Sequence, residues 1–357
     1  MYVPSKRSAS IIDVVKQLFN SIEFSMEQQD ITDEAYFSDN AMSNSGLQYL
    51  CPEQGGSPKQ MLDYLTNPDF DDPDKKFSKA LERGKLFHHY VEDPENFYID
   101  EATKPTAGTN IDIWVQKVAE LIPNPNDLTE DKIVDIGFEL NLMGNLKDKS
   151  KAYPKFEPYI DYLNSIYDSR NYGYVVTKQD AEALDAMVQS LAEFEVQEPK
   201  DLIKNGIKES VFTARHIPSK TLMKSKLDNY QKFSDHIKHM DVKTYGKGSV
   251  HNFHFSLRSY RYYRQLAMYD LMLRLSIDDK NLEMPIDHNI LVIKTAKPYD
   301  VIYYKISNEW LDEGYMEIYN LLMIWTRWKE TGYYAPYSEP QPLPYIPKFE
   351  DFIDNPM

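Results

Sequence analysis

The sequence has few of the features by which disulfide, nucleotide-binding and membrane proteins are recognised. Its 357 residues include a single cysteine, Cys51, which excludes an internal disulfide and any metal site built from several cysteines. No apolar run approaches the length of a membrane span, and mean hydropathy is −0.58. The first residues lack the apolar core of a signal peptide, and no glycine-rich phosphate-binding loop is present. These absences predict a cytoplasmic protein without a P-loop or a dinucleotide site.

Positive charge is scarce overall but concentrated in one segment. The formal net charge of −16 argues, by itself, against a nucleic-acid partner. Residues 204–264, however, hold 13 Lys and Arg against 4 Asp and Glu. A basic segment in an acidic chain suits a polyanion that enters one particular place. Five histidines lie in the same segment, and none of them is predicted, taken singly, to bind a metal: His216, His236, His239, His251 and His254.

The hydrophobic pattern predicts an α/β fold. Helical spacing dominates before residue 205, as in residues 11–24. Alternating runs then predict strands, separated by one long helix and followed by another. The predicted strands are 210–217, 220–231, 235–246, 289–296 and 299–307, and the two helices are 249–276 and 308–332. This order favours a sheet with a helix packed on it.

Asp241 and Lys243 lie two residues apart in the run HIKHMDVKTYG, so they share one face of a strand. A pair of this kind is usually a weak surface ion pair. Asp228 ends the preceding run. In a hairpin of residues 220–230 and 236–245, we expect a bend or an offset to be needed to bring Asp228 to Asp241. Two converging carboxylates would hold a hard cation such as Mg²⁺, and the lysine would orient or deprotonate a water or neutralise a phosphate oxygen.

The spacing of Asp228, Asp241 and Lys243 resembles the signature D-(x)n-[D/E]-x-K of the PD-(D/E)xK nucleases. This resemblance implies a restriction-endonuclease-like core, with a mixed central sheet flanked by helices, a helical N-terminal elaboration and an insert. It implies a single elaborated nuclease domain over residues 1–357. Its parts are a helical N-terminal part (1–100), a mostly helical insert (101–200), the catalytic sheet and helix (201–310), and a C-terminal helix with a Pro/Tyr-rich tail (311–357).

Further motifs are similar to the phage RecE-like (exodeoxyribonuclease VIII-like) and RecB-like branch of that superfamily. GKLFHHYVEDPENF resembles its G-x-x-x-H segment, with Gly84 and His88 in the two defining places. RYYRQLAMYD carries Q-x-x-x-Y as Gln265 and Tyr269. SNSGLQYL resembles the N-terminal S-x-S-x-L helix, and GIKESVF resembles a strand whose glutamate, here Glu209, precedes the core.

The resemblance implies one or two Mg²⁺ or Mn²⁺ ions. Their ligands would be His88, Asp228, Asp241 and the carbonyl of Val242. Imidazole suits Mn²⁺ better than Mg²⁺. Because His89 follows directly, either ring could face the metal, and the family spacing favours His88.

The other implied roles are catalytic or directed at DNA. Lys243 and Gln265 would position the nucleophile, while Tyr269 would hold DNA. Glu209 either binds a metal or supports a residue that does. Contacts with the DNA backbone are predicted for Arg258, Arg261, Arg264 and Lys226, although a solvated helix face is an alternative for the arginines. Three tyrosines either pack in the core or stack on a frayed strand end: Tyr260, Tyr262 and Tyr263.

The function implied is 5′-to-3′ exonuclease action on linear double-stranded DNA, in phage recombination within a bacterial host. The resemblance also implies a ring-like homo-oligomer and a partner that anneals the single strand left behind. Two alternatives stay open: an endonuclease or repair nuclease on the same core, and a nuclease-fold module that binds DNA or protein without cutting. Comparing the digestion of circular and linear duplex DNA distinguishes an endonuclease from an exonuclease. The intact Asp228, Asp241 and Lys243 favour a protein that cuts DNA over one that only binds it.

Overall fold

A computed structural model describes residues 9–28, 31, 36, 41–67, 70, 79–144, 146–246, 248, 252–279 and 282–332. His251, the Pro/Tyr-rich tail from residue 333 and most of the acidic loop at 68–77 lie outside this range. The chain forms two compact units. We call Met1–Ser78 with Ser190–Met357 the sheet unit, and Lys79–Gln189 the helical unit. Among the described residues, no helix is both long enough and apolar enough to span a membrane.

The strands and helices are numbered along the chain. The strands are β1 (Ile22–Gln28), β2 (Phe97–Asp100), β3 (Tyr174–Thr177), β4 (Ile207–His216), β5 (Thr221–Lys232), β6 (Ile237–Tyr245), β7 (Ile286–Lys294) and β8 (Val301–Lys305). The helices are α1 (Ala9–Ser21), α2 (Pro58–Thr66), α3 (Lys79–Glu92), α4 (Asn110–Leu121), α5 (Glu130–Glu139), α6 (Tyr153–Phe156), α7 (Ile160–Asp168), α8 (Lys178–Glu193), α9 (Glu198–Asn205), α10 (Phe253–Ser259), α11 (Tyr262–Ser276) and α12 (Asn308–Thr331).

The sheet unit is built on a mixed six-stranded sheet of order β1-β4-β5-β6-β7-β8. Neighbouring strands are antiparallel except β6 and β7, which are parallel. A parallel pair needs a crossover connection, and α10 and α11 lie in it. The five strands predicted from alternation are all present, so the predicted mixed sheet flanked by helices is confirmed.

The core of the sheet unit lies between the sheet and α11. In β7, Ile290, Leu291, Val292 and Ile293 are all fully buried, as expected of a strand covered on both faces. Twelve of the fifteen residues of α11 are buried, so this helix is enclosed rather than amphipathic. Side chains that α11 presents to β6 are therefore held in a packed environment.

The N-terminal helix is shorter than its periodicity predicts. The sequence predicts a helix over residues 11–24, but α1 ends at Ser21 and Ile22–Gln28 forms β1. Strand β1 pairs antiparallel with the outer side of β4, with an irregularity between Phe24 and Met26. Pairing with an otherwise open sheet edge outweighs the last turn of a short helical pattern.

The long helix predicted after β6 is divided in two. Residues 249–276 were expected to form one helix, whereas α10 ends at Ser259 and α11 begins at Tyr262. Arg261 separates them with a left-handed backbone, φ +55°. Its guanidinium donates to the Tyr263 hydroxyl at 2.6 Å and to Glu317 at 3.0 Å, and these contacts hold a backbone conformation that arginine seldom adopts.

The helical unit has a core of its own. Trp114 is fully buried, and its indole N–H donates to the carbonyl of Ile133 at 2.7 Å. A Cβ at Gly137 would lie 2.7 Å from the Trp114 ring, so only glycine fits there. Strands β2 and β3 form a separate parallel pair. Thr177 caps α8, accepting from the backbone N–H of Asp180 at 3.2 Å.

Candidate active site

Asp228 and Asp241 meet where β5 and β6 separate. The last pair in this antiparallel ladder is Asn229 with Met240, and Asp228 and Asp241 come one step beyond it. The backbone N–H of Val242 donates to Asp228 Oδ2 at 2.7 Å, in place of the next ladder bond. Opposed residues share a face, so the register places both side chains on one face without the bend or offset that the sequence predicted. That expectation was wrong because the turn is centred midway between the two residues.

Lys243 follows Asp241 on the same face of β6. Its Nζ lies 2.7 Å from Asp241 Oδ2 and 5.0 Å from the centre of the Tyr262 ring. Burial by itself lowers the pKa of Lys243, but the charges of Asp241 and Asp228 outweigh it and raise that pKa above its ordinary value. Lys243 is therefore an ammonium at neutral pH. A group that holds its proton this firmly suits orienting a water or neutralising a phosphate better than removing a proton.

Glu209 extends the acidic pair onto a third strand. Pairs on either side of it, Lys208 with Asn229 and Ser210 with Leu227, place Glu209 opposite Asp228. A carboxylate oxygen of Glu209 and one of Asp228 lie within 4.8 Å of each other.

We call Glu209, Asp228 and Asp241 the carboxylate row, since they follow one another across β4, β5 and β6. Lys226 Nζ lies 2.5 Å from Glu209 Oε2. Glu209 and Asp228, with Asp241 on the next strand, supply carboxylate oxygens, the donors that Mg²⁺ and Mn²⁺ take. The described residues therefore fit the metal that the resemblance implies, and they favour a ligand role for Glu209.

Gln265 and Tyr269 support the carboxylate row from α11. Gln265 Nε2 donates to the Tyr269 hydroxyl at 2.6 Å, so the two side chains share one face of α11, as a spacing of four residues in a helix implies. Burial, followed by the charges of Asp241 and Asp228, raises the pKa of Tyr269 well above its ordinary value and keeps it neutral. Tyr269 is only 5% exposed. Tyr269 is therefore better placed to hold Gln265 than to make the direct contact with DNA that was predicted for it.

His88 lies on α3 of the helical unit, where the sequence places it. In the same helix Gly84 is buried and His88 is half-buried. The ring of His89 stacks on Tyr174 of β3, with centroids 4.7 Å apart. That contact packs His89 within the helical unit, and the ligand role predicted for His88 stays a prediction.

The region that holds the carboxylate row matches a known family. A model of the family described as a "PDDEXK-like domain of unknown function (DUF3799)" matches residues 141–338. The chain belongs to this family. The predicted membership of the PD-(D/E)xK nuclease superfamily is confirmed, and the RecE-like assignment stays a prediction.

One solved structure similar to this PDDEXK-like protein is described as a "Putative exonuclease" from Eubacterium rectale. The two chains are 14% identical, with a TM-score of 0.44, and the match covers 85% of this chain and 88% of the other. No curated protein matches the chain.

Two of the three arginines of this PDDEXK-like domain that were predicted to contact DNA are committed to internal contacts. Arg264 is 1% exposed and donates to Asn44 Oδ1 at 2.9 Å and Glu317 Oε1 at 2.8 Å. Arg261 bonds Glu317 and Tyr263, as described above. Arg264 thus anchors α11 and presents no exposed edge to a phosphate. This internal role replaces the DNA contact predicted for it.

Arg258 lies open to solvent, whereas the Lys226 side chain is only 14% exposed. The side chain of Arg258 is 64% exposed, pairs with both oxygens of Glu313, and lies over the Trp310 ring at 4.9 Å. Lys226 contacts Glu209 in the carboxylate row. Of the four basic residues, Arg258 keeps the exposure that a phosphate contact needs, and the contact predicted for Lys226 stays a prediction.

A buried polar network behind the site was not singled out from the sequence. Asp270 accepts from Arg274 Nε and from His288 Nε2, both at 2.9 Å, and from the Tyr315 hydroxyl. His288 and His239 are joined through their Nδ1 atoms at 3.1 Å. We call these five residues the Asp270 network. Charged residues inside the apolar stretches of α11 and β7 were the signal that could have identified it.

His239 links the Asp270 network to the carboxylate row. It lies two residues before Asp241 on β6, fully buried, and its ring meets Tyr269 edge-on at 5.2 Å. Burial, then the neighbouring charges of His288 and Lys243, holds the pKa of His239 well below its ordinary value. His239 is therefore a neutral packing residue under the site.

Proposed function

We propose that this protein is a metal-dependent deoxyribonuclease that hydrolyses phosphodiester bonds of linear double-stranded DNA. The observation that carries the proposal is the convergence of Asp228, Asp241 and Lys243 at the point where β5 and β6 separate. The basic character of residues 204–264 supports a polyanionic substrate.

The ions would be held by the carboxylate row and the carbonyl of Val242, with His88 as a further ligand from the resemblance. Such ions supply Lewis-acid stabilisation of the charge that develops on phosphate oxygens. Within the protein, Lys243 supplies a fixed cation beside Asp241, and it would orient the attacking water towards the phosphate. Gln265, held by Tyr269, would bind that water or a phosphate oxygen.

Finer aspects of the proposal rest on the resemblance alone. They are 5′-to-3′ polarity, a homo-oligomeric ring around the DNA, and a partner protein that anneals the resulting single strand. The contrast between the basic segment and the remaining acidic chain is in keeping with a ring that has a basic lining. Phosphate contacts are proposed for Arg258 and Lys226.

The decisive experiment compares three variants on linear duplex DNA with Mg²⁺ or Mn²⁺. We expect Asp228→Asn, Asp241→Asn and Lys243→Met each to lower the rate by at least about 10³-fold, because metal binding and charge stabilisation are lost. Asp235→Asn is the matched control, since Asp235 is an exposed acid in the β5–β6 turn and should keep full activity.

Undiminished digestion by Asp241→Asn or Lys243→Met, in folded protein, would refute the site assignment. Degradation confined to linear DNA would support exonuclease action, whereas linearisation of circular duplex would assign an endonuclease. Tight binding of DNA without cutting, by the wild-type protein in either metal, would support the non-cutting module.

A further inference from the structure

Two aromatic rings lead from Lys243 to the surface of the sheet unit. The Lys243 Nζ lies 5.0 Å from the centre of the Tyr262 ring. The Tyr262 ring is in turn 5.7 Å from the ring of Tyr260, tilted by 38°. Tyr260 is 64% exposed, against a half-buried Tyr262. An aromatic face open to solvent therefore stands one ring away from the cation of the candidate active site.

This placement is fixed by the break between α10 and α11. Tyr260 directly follows α10, and the left-handed backbone of Arg261 separates it from Tyr262 at the start of α11. The Tyr262 ring stacks on Phe253, with centroids 5.7 Å apart and planes 19° from parallel, and Phe253 is 1% exposed. The inner ring is thus anchored in the core, and the outer ring is presented on a short, braced segment.

We infer that Tyr260 stacks on an unpaired nucleobase at the end of the DNA whose phosphate lies at the carboxylate row. The inference rests on the proposed nuclease function, which it deepens by naming the form of the substrate. A nucleotide carries an anionic phosphate and a flat base side by side. A buried ammonium and an exposed aromatic face, one ring apart, match those two parts. Because every base has a π-face, such stacking is tolerant of sequence, as degradation from an end requires.

The test uses short duplexes with a one-nucleotide overhang in which the unpaired base is 2-aminopurine, placed at the 5′ end or at the 3′ end. Ca²⁺ replaces Mg²⁺ to hold the DNA uncut, and quenching of the fluorescence reports stacking. We expect the wild-type protein to quench one of the two ends. Tyr260→Ala should abolish this quenching and weaken binding of that DNA by about 5-fold to 150-fold, the range for losing one base–aromatic stack. Tyr260→Phe and Tyr260→Trp should retain both.

Phe255→Ala is the matched control. Phe255 is 65% exposed on α10, the helix that ends just before Tyr260, and its ring contacts that of His254. Equal quenching by Tyr260→Ala and wild type, an equal loss in Phe255→Ala, or no quenching by wild type at either end would each overturn the inference.

Cutting is measured separately with Mg²⁺. There Tyr260→Ala should raise KM while kcat is retained, because the ring binds the DNA and takes no part in hydrolysis. A wild-type protein that stacks the base but never cuts would refute the proposed function and leave the stacking intact, so the two failures are distinguishable.

Discussion

Helix α11 contributes Asp270 and Arg274 to one cluster of charged residues and lies beside another, the carboxylate row, and the two clusters are built in opposite ways. In the Asp270 network, one carboxylate is matched by Arg274, His288 and Tyr315, all within the core. In the carboxylate row, three acids face two lysines, Lys226 and Lys243.

The difference shows how one helix can serve stability and chemistry at once. A buried charge that is matched by its partners makes the fold depend on it, since removing either partner strands the other. A cluster with surplus negative charge repels itself, and a bound cation would relieve that repulsion. Mutations in the Asp270 network should therefore lower stability, whereas mutations in the carboxylate row should lower metal binding and activity.

The largest contrast should come from Asp270→Ala against Asp241→Asn. Asp270→Ala removes the carboxylate that accepts from Arg274 Nε and His288 Nε2, while Arg274 Nη1 keeps Asp279. Because those two buried groups lose their charged partner, we expect the free energy of unfolding to fall by about 3–5 kcal/mol. Asp241→Asn should cost much less, because Lys243 still faces Asp228 and the repulsion within the carboxylate row falls. Urea unfolding of both variants, with Asp235→Ala as the exposed control, makes the measurement. Equal losses of stability would show that the carboxylate row is also a structural cluster.

A smaller effect is expected for Glu209→Gln. The change keeps the size of the side chain and removes one negative charge opposite Asp228. We expect the affinity for Mn²⁺ to fall by about 10-fold to 100-fold, with the melting temperature of the metal-free protein unchanged or slightly raised. Isothermal titration with Mn²⁺ checks the first expectation and thermal unfolding the second. If the affinity for Mn²⁺ is unaltered, Glu209 serves only as the ion-pair partner of Lys226.

The smallest effect is expected for Tyr269→Phe, which deletes the hydroxyl that accepts from Gln265. Loss of one hydrogen bond of this kind amounts to about 1 kcal/mol, so activity should fall about five-fold while the ring still packs on His239. Rates on linear duplex measure the fall, and Tyr319→Phe, which removes a more exposed hydroxyl, is the control. A loss as large as that of Asp241→Asn would mean that Tyr269 touches the reacting groups directly.

Local patterns predicted a large part of this arrangement. Alternation located β4 to β8, and the spacing of Asp241 with Lys243 and of Gln265 with Tyr269 placed each pair on one face. These relations depend only on the period of a strand or a helix.

What the sequence could not predict depends on pairing between distant segments. The place of Glu209 opposite Asp228 follows from the register of β4 on β5. Burial of Arg264 depends on Asn44 and Glu317, which are about 220 and 53 residues away in the chain. The strand character of Ile22–Gln28 requires β4 as a partner. In each case a tertiary contact overrides the local preference.

The pairing of β1 with β4 has a consequence for how this chain can vary. The whole helical unit is interposed in sequence between these two neighbouring strands. A connection that begins and ends at paired strands can lengthen at small entropic cost, roughly 0.6 kcal/mol for each doubling of a flexible loop. Additions there shift no register between β4, β5 and β6. Natural lineages and protein engineers can therefore lengthen or trim that connection, outside the helix that carries His88, while the carboxylate row keeps its geometry.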